Sequence, residues 1–300
     1  MPDEAEGFAV PSLTRRQQTG SSSARSLLLT VFGEYVLPSG AAVWTSTLLH
    51  VAAGLGVEEK AARQALNRLA ADGWIAAERE GRRVRWALTA HGRTLLTEGA
   101  ERIYSFGRER ESWDGRWLVL LVSVPEAQRD LRHRLRNGLT WAGLGSPWPG
   151  VWVSPHSARE AEAKQVVEEL GLDTEAFSFC GPFAGIGSER SMVEQAWHLG
   201  ELAQAYEEFV RRFAGLRPRR AAEMVADEKV ADEMVADEVL FAQIRLVDEW
   251  RRFPRLDPQL PMELLPPHWI GLRAANLFED LHRQWHDAAQ KRWAQLVAAQ

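Results

Sequence analysis

Ala62, Ala65, Leu66 and Leu69 recur at intervals of three and four, the spacing that places apolar residues on one face of a helix. Lys60, Gln64 and Asn67 line up on the opposite side, flanked by Arg63 and Arg68. The stretch Val57 to Ile75 therefore predicts an amphipathic helix that ends near Asp72-Gly73, where glycine can take the left-handed cap. Upstream, Leu28, Val31, Phe32 and Tyr35 share a face of a helix from Ser22 to Val36, which Pro38-Ser39-Gly40 ends. Trp44-Thr45-Ser46 opens another helix, with Thr45 or Ser46 able to cap it and Leu48, Leu49 and Ala52 turned to its neighbour. After Gly73 the period changes to two. Trp74 to Arg79 and Arg83 to Leu88 alternate around a Glu80-Gly81 turn, the pattern of a charged hairpin.

Helix, turn, helix and basic hairpin, in that order, make a winged helix-turn-helix, which lays its second helix in a DNA major groove. Gln64 and Asn67 suit adenine edges; Lys60, Arg63 and Arg68 suit guanine or phosphate. Arg82, Arg83 and Arg85 on the wing suit phosphate or the minor groove. A plainer reading stands beside this one. Glu59 with Arg63, and Arg68 with Asp72, are spaced for ordinary helix-surface ion pairs, and a charged hairpin also protects a sheet edge.

Beyond a helix that starts at Thr89-Ala90 and runs toward Phe106, the pattern changes again. Leu118 to Val124 is a continuous apolar run, read as a buried central strand. A helix from Pro125-Glu126 carries Leu131, Leu135 and Leu139. Leu139 to Gly145 and Gly150 to Ser154 read as two strands, Ser157 to Leu170 as a helix, and Ala176 to Cys180 as the last strand. The order is βαββαβ, a ferredoxin-like domain. One sheet face would then need cover from a second copy or another domain. From Ser188 to Phe213 a long helical stretch carries Trp197, Leu199, Leu202, Tyr206, Phe209 and Phe213. Further helices follow over Val239 to Phe253 and Trp269 to Gln300, separated by a proline-rich connection.

The fold class expected is α+β. The expected division is a disordered tail (1–21), a winged helix-turn-helix (22–95), a linker helix (96–111), a ferredoxin-like domain (112–184) and a helical C-terminal domain (185–300). Residues 223–238 form an acidic insert in the last of these. Met224 to Glu228, Lys229 to Glu233 and Met234 to Glu238 are tandem copies of one pentapeptide. Five matches neither a heptad nor a solenoid unit, so the copies read as an expansion in an exposed loop or helix extension.

The net charge of -5 looks wrong for a DNA-binding chain. It is unevenly placed: residues 22–95 balance at +3 and residues 223–238 at -6. Local charge, not the total, governs phosphate attraction. Cys180 is the single cysteine, which leaves no intramolecular disulfide and suits the reducing cytoplasm. No apolar run is long enough for a membrane span. His282 and His286 are spaced as metal ligands can be, but they read as helix-surface residues, and no cofactor is expected.

Four stretches together resemble the PaaX family of transcriptional repressors. They are Arg25 to Val36, Ala62 to Trp74, Trp113-Asp114-Gly115-Arg116-Trp117 with its strand, and Phe253 to Pro261 followed by Leu264-Leu265-Pro266. The resemblance implies a homodimer on palindromic double-stranded operator DNA, released by an aryl-acyl-CoA such as phenylacetyl-CoA. It also implies a middle domain similar to a small CRISPR-associated endonuclease. That nuclease family holds a metal with an aspartate at the end of its first strand. Here the strand ends Leu121-Val122-Ser123-Val124-Pro125, without a carboxylate, so no enzymatic activity is expected. The alternatives are a winged-helix protein-interaction module and, less favoured, a metal-dependent nuclease. For an acyl-CoA site the candidates are Tyr206, Arg245 and Trp269, an aromatic pair and a cation.

Overall fold

The computed structural model describes residues 23–107, 110, 112–216 and 228–299. The expected N-terminal tail and the first part of the pentapeptide tract lie outside these residues. The fold is α+β, with one three-stranded and one four-stranded sheet among the described residues.

The chain begins with α1 (Ala24–Val31), capped by Ser23, whose hydroxyl accepts from the Ser26 amide at 3.1 Å. A π-helical turn, Phe32–Val36, leads into the single turn α2 (Leu37–Ser39), which Gly40 closes in the left-handed conformation. Then follow β1 (Val43–Trp44), α3 (Thr45–Gly54), α4 (Glu59–Ala71), β2 (Ile75–Glu80) and β3 (Arg83–Leu88). Leu28, Val31, Phe32 and Tyr35 are all buried, as their periodicity requires. Thr45 does not cap α3, which has no side-chain cap. Its hydroxyl donates instead to the Val84 carbonyl at 2.9 Å and accepts from the Trp86 indole at 3.0 Å, tying the helix to the wing. The three strands pair antiparallel in the order β1-β3-β2. Helix α5 (Ala90–Ser105) follows directly. Gly92 near its start lies so close to the Trp74 carbonyl that no side chain fits there.

The middle of the chain gives β4 (Arg116–Val122), α6 (Arg129–Trp141), β5 (Gly145–Trp148), β6 (Val151–Ser154), α7 (Glu160–Glu169) and β7 (Ala176–Pro182). The sheet is antiparallel throughout, in the order β5-β6-β4-β7, which with βαββαβ connectivity is ferredoxin-like. Two boundaries differ from the pattern reading. Helix α6 begins at Arg129 rather than Pro125 and runs on through Leu139 to Trp141, so β5 is confined to Gly145–Trp148. Leu139 belongs to the helix because its side chain completes the apolar row of Leu131 and Leu135. Leu120, Val122 and Trp152 on the sheet pack with Leu135, Leu139, Ala163 and Val167 on the two helices. On the sheet's other face, Val119 pairs with Phe179 and Leu121 with Phe177. Phe177 and Phe179 remain more than 60% exposed.

The remainder is helical: α8 (Glu189–Trp197), α9 (Leu199–Phe213), α10 (Glu228–Trp250), α11 (Phe253–Leu256) and α12 (Ile270–Ala298). The single long helix expected over Ser188 to Phe213 is two, because His198 takes a left-handed conformation, φ 49°, between them. Gly145 lets α8 close onto the sheet, because a Cβ there would collide with Trp197 and Ala196. The second and third pentapeptides lie within α10 and extend that helix.

The described residues form two compact units. The first combines 23–98 with 228–249 and 285–299; the second combines 99–216 with 250–284. In the first, buried Asp248 accepts from the Ser26 hydroxyl at 2.7 Å and the Thr30 hydroxyl at 3.0 Å. Tyr35 stacks on Trp293 at 5.1 Å. The winged helix thus shares its core with helices from the far end of the chain.

Candidate nucleic-acid interface and ligand region

Helix α4 buries Ala62, Ala65, Leu66 and Leu69 at 1% exposure or less. The small alanines let it lie close to α1 and α3. Glu58 and Glu59 sit at its positive end, where acids are favourable, and Gly73 ends it with φ 72°. The opposite face presents Lys60, Arg63, Gln64, Asn67 and Arg68, all exposed. The side chains of Lys60, Gln64 and Asn67 have no hydrogen-bond partner among the described residues, so their donors and acceptors point outward unused. Arg63 pairs with Glu59 at 2.8 Å. The expected pair between Arg68 and Asp72 does not form. Asp72 pairs with Arg25 at 2.8 Å, and Arg25 also covers the Trp74 ring at 5.1 Å. Arg68 is left with a long contact to the Gln64 carbonyl, 3.4 Å, and its charge faces solvent.

The wing's three arginines sit in different surroundings. Arg82 is exposed at the tip beside Gly81, which holds φ 61°. The Arg83 guanidinium lies 4.0 Å above the Trp44 ring, which fixes its direction through a cation–π contact. Arg85 donates to Glu78 at 2.7 Å and lies 3.6 Å from Glu80, so part of its charge is already matched. Two contributors escaped the sequence reading. Trp44 is the platform for Arg83, visible only once β1 pairs with β3. Arg79 is an exposed cation on β2, legible from strand alternation alone.

In the second unit Tyr206 and Trp269 meet edge to face, ring centroids 6.0 Å apart. Tyr206 also stacks on Phe253 at 4.1 Å. Its hydroxyl donates to Asp257 Oδ2 at 2.8 Å. The same oxygen accepts from Arg110 at 3.0 Å, and Arg110 also donates to the Leu260 carbonyl at 2.8 Å. Burial, reinforced by the Asp257 charge and hydrogen bond, pushes the Tyr206 phenol far above its ordinary range. The indole N–H groups of Trp250 and Trp269 are buried without a partner among the described residues. Trp250 stacks on Phe278 at 4.7 Å. Phe278, Tyr104 and Phe106 wall a cleft of about 170 Å³, with Asn276 and Glu279 also lining it. Arg245 lies in the first unit, where its guanidinium donates to the Gly54 carbonyl at 3.3 Å. Asp257 and Arg110 were not singled out from sequence. They meet across 147 positions, and only the quoted Leu256-Asp257-Pro258 segment marks one of them.

In the middle domain β4 ends at Val122 and Ser123 follows, with no carboxylate at the strand end. Asp114 accepts from the Arg116 amide at 2.8 Å in the preceding turn, and Asp130 lies on the exposed side of α6. Among the described residues, no cluster of metal-holding side chains lies within this domain.

Three family models match successive stretches of the chain. Residues 23–92 match a family described as PaaX-like protein, 110–193 match the PaaX protein central Cas2-like domain, and 197–295 match the PaaX-like protein C-terminal domain. Transcriptional repressor PaaX of Escherichia coli K12 is 31% identical over 272 residues, which cover 89% of this chain and 82% of that protein. A solved structure, the uncharacterized protein Rv0674 from Mycobacterium tuberculosis, superposes with a TM-score of 0.58 at 19% identity. It covers 92% of this chain and 99% of that one, and shows the shared fold. No helix among the described residues is long and apolar enough to cross a membrane. Three consecutive family matches and identity across most of both chains place this chain in the PaaX family of transcriptional repressors.

Proposed function

We propose that the chain is a ligand-released repressor that occupies double-stranded operator DNA as a homodimer in the cytoplasm. The observation that carries this reading is the outer face of α4. Lys60, Gln64 and Asn67 stand there exposed and unbonded, beside the cationic wing. Lys60, Arg63, Gln64 and Asn67 read base edges, while Arg68, Arg82, Arg83 and Arg85 hold phosphates. Two copies place their α4 helices in successive major grooves, roughly 34 Å apart. The uncovered apolar positions of β7, Phe177 and Phe179, are available to a second copy. The division into parts at 22–95, 112–184 and 185–300 is kept for the functional roles. The role is regulatory, not catalytic.

The effector proposed is an aryl-acyl-CoA, with phenylacetyl-CoA the first to try. The aromatic cluster of the second unit supports it, with Tyr206 and Trp269 at one end and the cleft beside Phe278 at the other. Arg245 is engaged with Gly54 in the first unit, so the ligand reading rests on Tyr206 and Trp269.

The test is a salt titration of binding to the chain's own promoter region, with and without phenylacetyl-CoA. Specific binding that weakens steeply with salt and is released by the ligand is expected. Replacing Gln64 or Asn67 by alanine is expected to lower discrimination against random DNA by about 1–3 kcal/mol. Binding no better than to random DNA would leave an interaction module instead of a repressor.

A further inference from the structure

Helix α6 carries four arginines and a single acid, Asp130. Its inner side is apolar, with Leu135 and Leu139 buried in the domain core. On its outer side Arg129, Arg132, His133, Arg136, Asn137 and Thr140 recur at i, i+3, i+4, i+7, i+8 and i+11, one helical face, and all six are exposed. Arg134 flanks them.

The stability of the domain does not account for this stripe. Cations near the start of a helix oppose its dipole. Arg129 with Arg132, and Arg132 with Arg136, are like charges at neighbouring positions, each pair unfavourable by a few tenths of a kcal/mol. The adjacent helix α7 is acidic, yet three of its four acids, all but Glu160, are engaged elsewhere. Glu162 pairs with Arg159 at 2.9 Å, Glu168 with Lys164 at 3.6 Å, and Glu169 accepts from Gln165 at 2.7 Å. Arg132 donates to the Glu126 carbonyl. Arg129, Arg134 and Arg136 have no ion-pair partner among the described residues.

We infer that this stripe is a second DNA contact, in which the central domain binds the sugar–phosphate backbone of a duplex independently of the recognition helix and wing. The inference rests on the repressor reading above. The cations of the stripe are arginines, whose planar fork matches phosphate oxygens. Thr140 extends the row with the kind of donor that also goes to phosphates, while the Asn137 amide nitrogen lies 3.1 Å from His133 Nε2. Arg129 to Arg136 spans about 10 Å at ~1.5 Å per residue. That is the rise of about three phosphates along one strand. Such contacts add affinity and fix the lie of the duplex without reading its sequence.

The test compares full-length protein with the variant Arg129→Gln/Arg132→Gln/Arg136→Gln on its own promoter duplex and on a random duplex of equal length. The variant removes exposed charge and mutual repulsion, so its thermal unfolding should match or exceed the parent's. Its salt dependence should be shallower by about 2–3 in the log–log slope. Affinity near 0.1 M salt should fall by about 100- to 500-fold on both duplexes, with their ratio preserved. An unchanged slope on both duplexes would overturn the inference. So would a loss confined to single-stranded RNA, or to an acidic protein such as polyglutamate as competitor, with duplex binding intact. Parent protein that prefers neither duplex but loses affinity for both through the substitutions would sink the repressor reading and keep the stripe. Parent protein that binds no duplex at all would sink both.

Discussion

Asp257 joins two buried groups of the second unit. It is 1% exposed and holds both the Tyr206 hydroxyl and the Arg110 guanidinium, itself 7% exposed. Replacing Asp257 by asparagine leaves a buried cation without its countercharge. Such a loss costs about 3–5 kcal/mol, far more than the pair contributes over an apolar substitute. Tyr206→Phe removes one hydrogen bond to a charged acceptor and should cost about 1.5–3 kcal/mol. Urea unfolding of the two variants should separate these magnitudes; equal small losses would mean that the Arg110–Asp257 pair is not buried in solution. The tyrosines also fix a pH dependence. Burial raises the phenols of Tyr35 and Tyr206 well above their ordinary value, with the charges of Glu34 and Asp257 adding to it. A raised folded-state pKa means that the unfolded chain releases its proton first. The contribution is therefore complete below about pH 10 and declines above it, by ~1.4 kcal/mol per pH unit for each tyrosine. Unfolding measured between pH 9 and 11 should show that decline, and Tyr35→Phe and Tyr206→Phe should each flatten it. A parent and variants with the same alkaline slope would contradict the assignment.

The elements differ in how far their own residues determine them. Helix α10 shows both extremes. Its third pentapeptide supplies Asp237, which binds Arg292 at 2.8 Å and lies 3.5 Å from His50. Glu233 of the second copy approaches the same arginine at 3.9 Å. Deleting Lys229 to Glu233 brings Glu228 of the first copy into the place of Glu233 and leaves Asp237 where it is. The deletion should be nearly silent in thermal unfolding. Asp237→Ala should not be, because Arg292 is only 10% exposed in its side chain and would lose its hydrogen-bonded acid, a cost of about 1–3 kcal/mol. Equal effects from both changes would mean that the copies act by length, not by phase. The same contrast explains what could be read before folding. The winged helix was legible because Ala62, Ala65, Leu66 and Leu69 keep strict helical spacing and the wing strict alternation. The ferredoxin-like order followed from the apolar run of β4 and the helices on either side of the hairpin. Pro125 marks a helix start in the sequence because proline often opens a helix, yet residues 125–128 turn before α6 begins. The break at His198 carries no local mark, since a histidine takes a conformation usually left to glycine. The partners that define the sites were hidden for another reason. Trp44 with Arg83, Arg25 with Asp72 and Arg110 with Asp257 meet only through tertiary packing, and no periodic pattern encodes such pairs.

At the scale of the whole molecule, a negative chain that binds DNA is no contradiction. The acidic excess of residues 223–238 is separate in sequence from the cations of α4, the wing and α6. Electrostatic attraction depends on the charge arranged around each contact in space more than on the sum. Release by a ligand imposes a stricter requirement than binding does. A ligand shifts the chain away from DNA only through different affinities for the free and bound forms, and the coupling is reciprocal. If phenylacetyl-CoA weakens promoter binding tenfold, the promoter must weaken phenylacetyl-CoA binding tenfold, a coupling of about 1.4 kcal/mol. Calorimetric titration of the ligand into free and promoter-bound protein should return that same factor. Trp269→Ala should lower ligand affinity in both titrations while leaving promoter binding without ligand unchanged, because Trp269 lies 5% exposed in the aromatic cluster of the second unit and not on α4 or the wing. Ligand affinity that is identical with and without promoter, alongside ligand-dependent loss of DNA binding, would break the linkage and place the release outside a binding equilibrium. Equal factors in the two directions, abolished together in Trp269→Ala, would tie effector and operator to one pair of states.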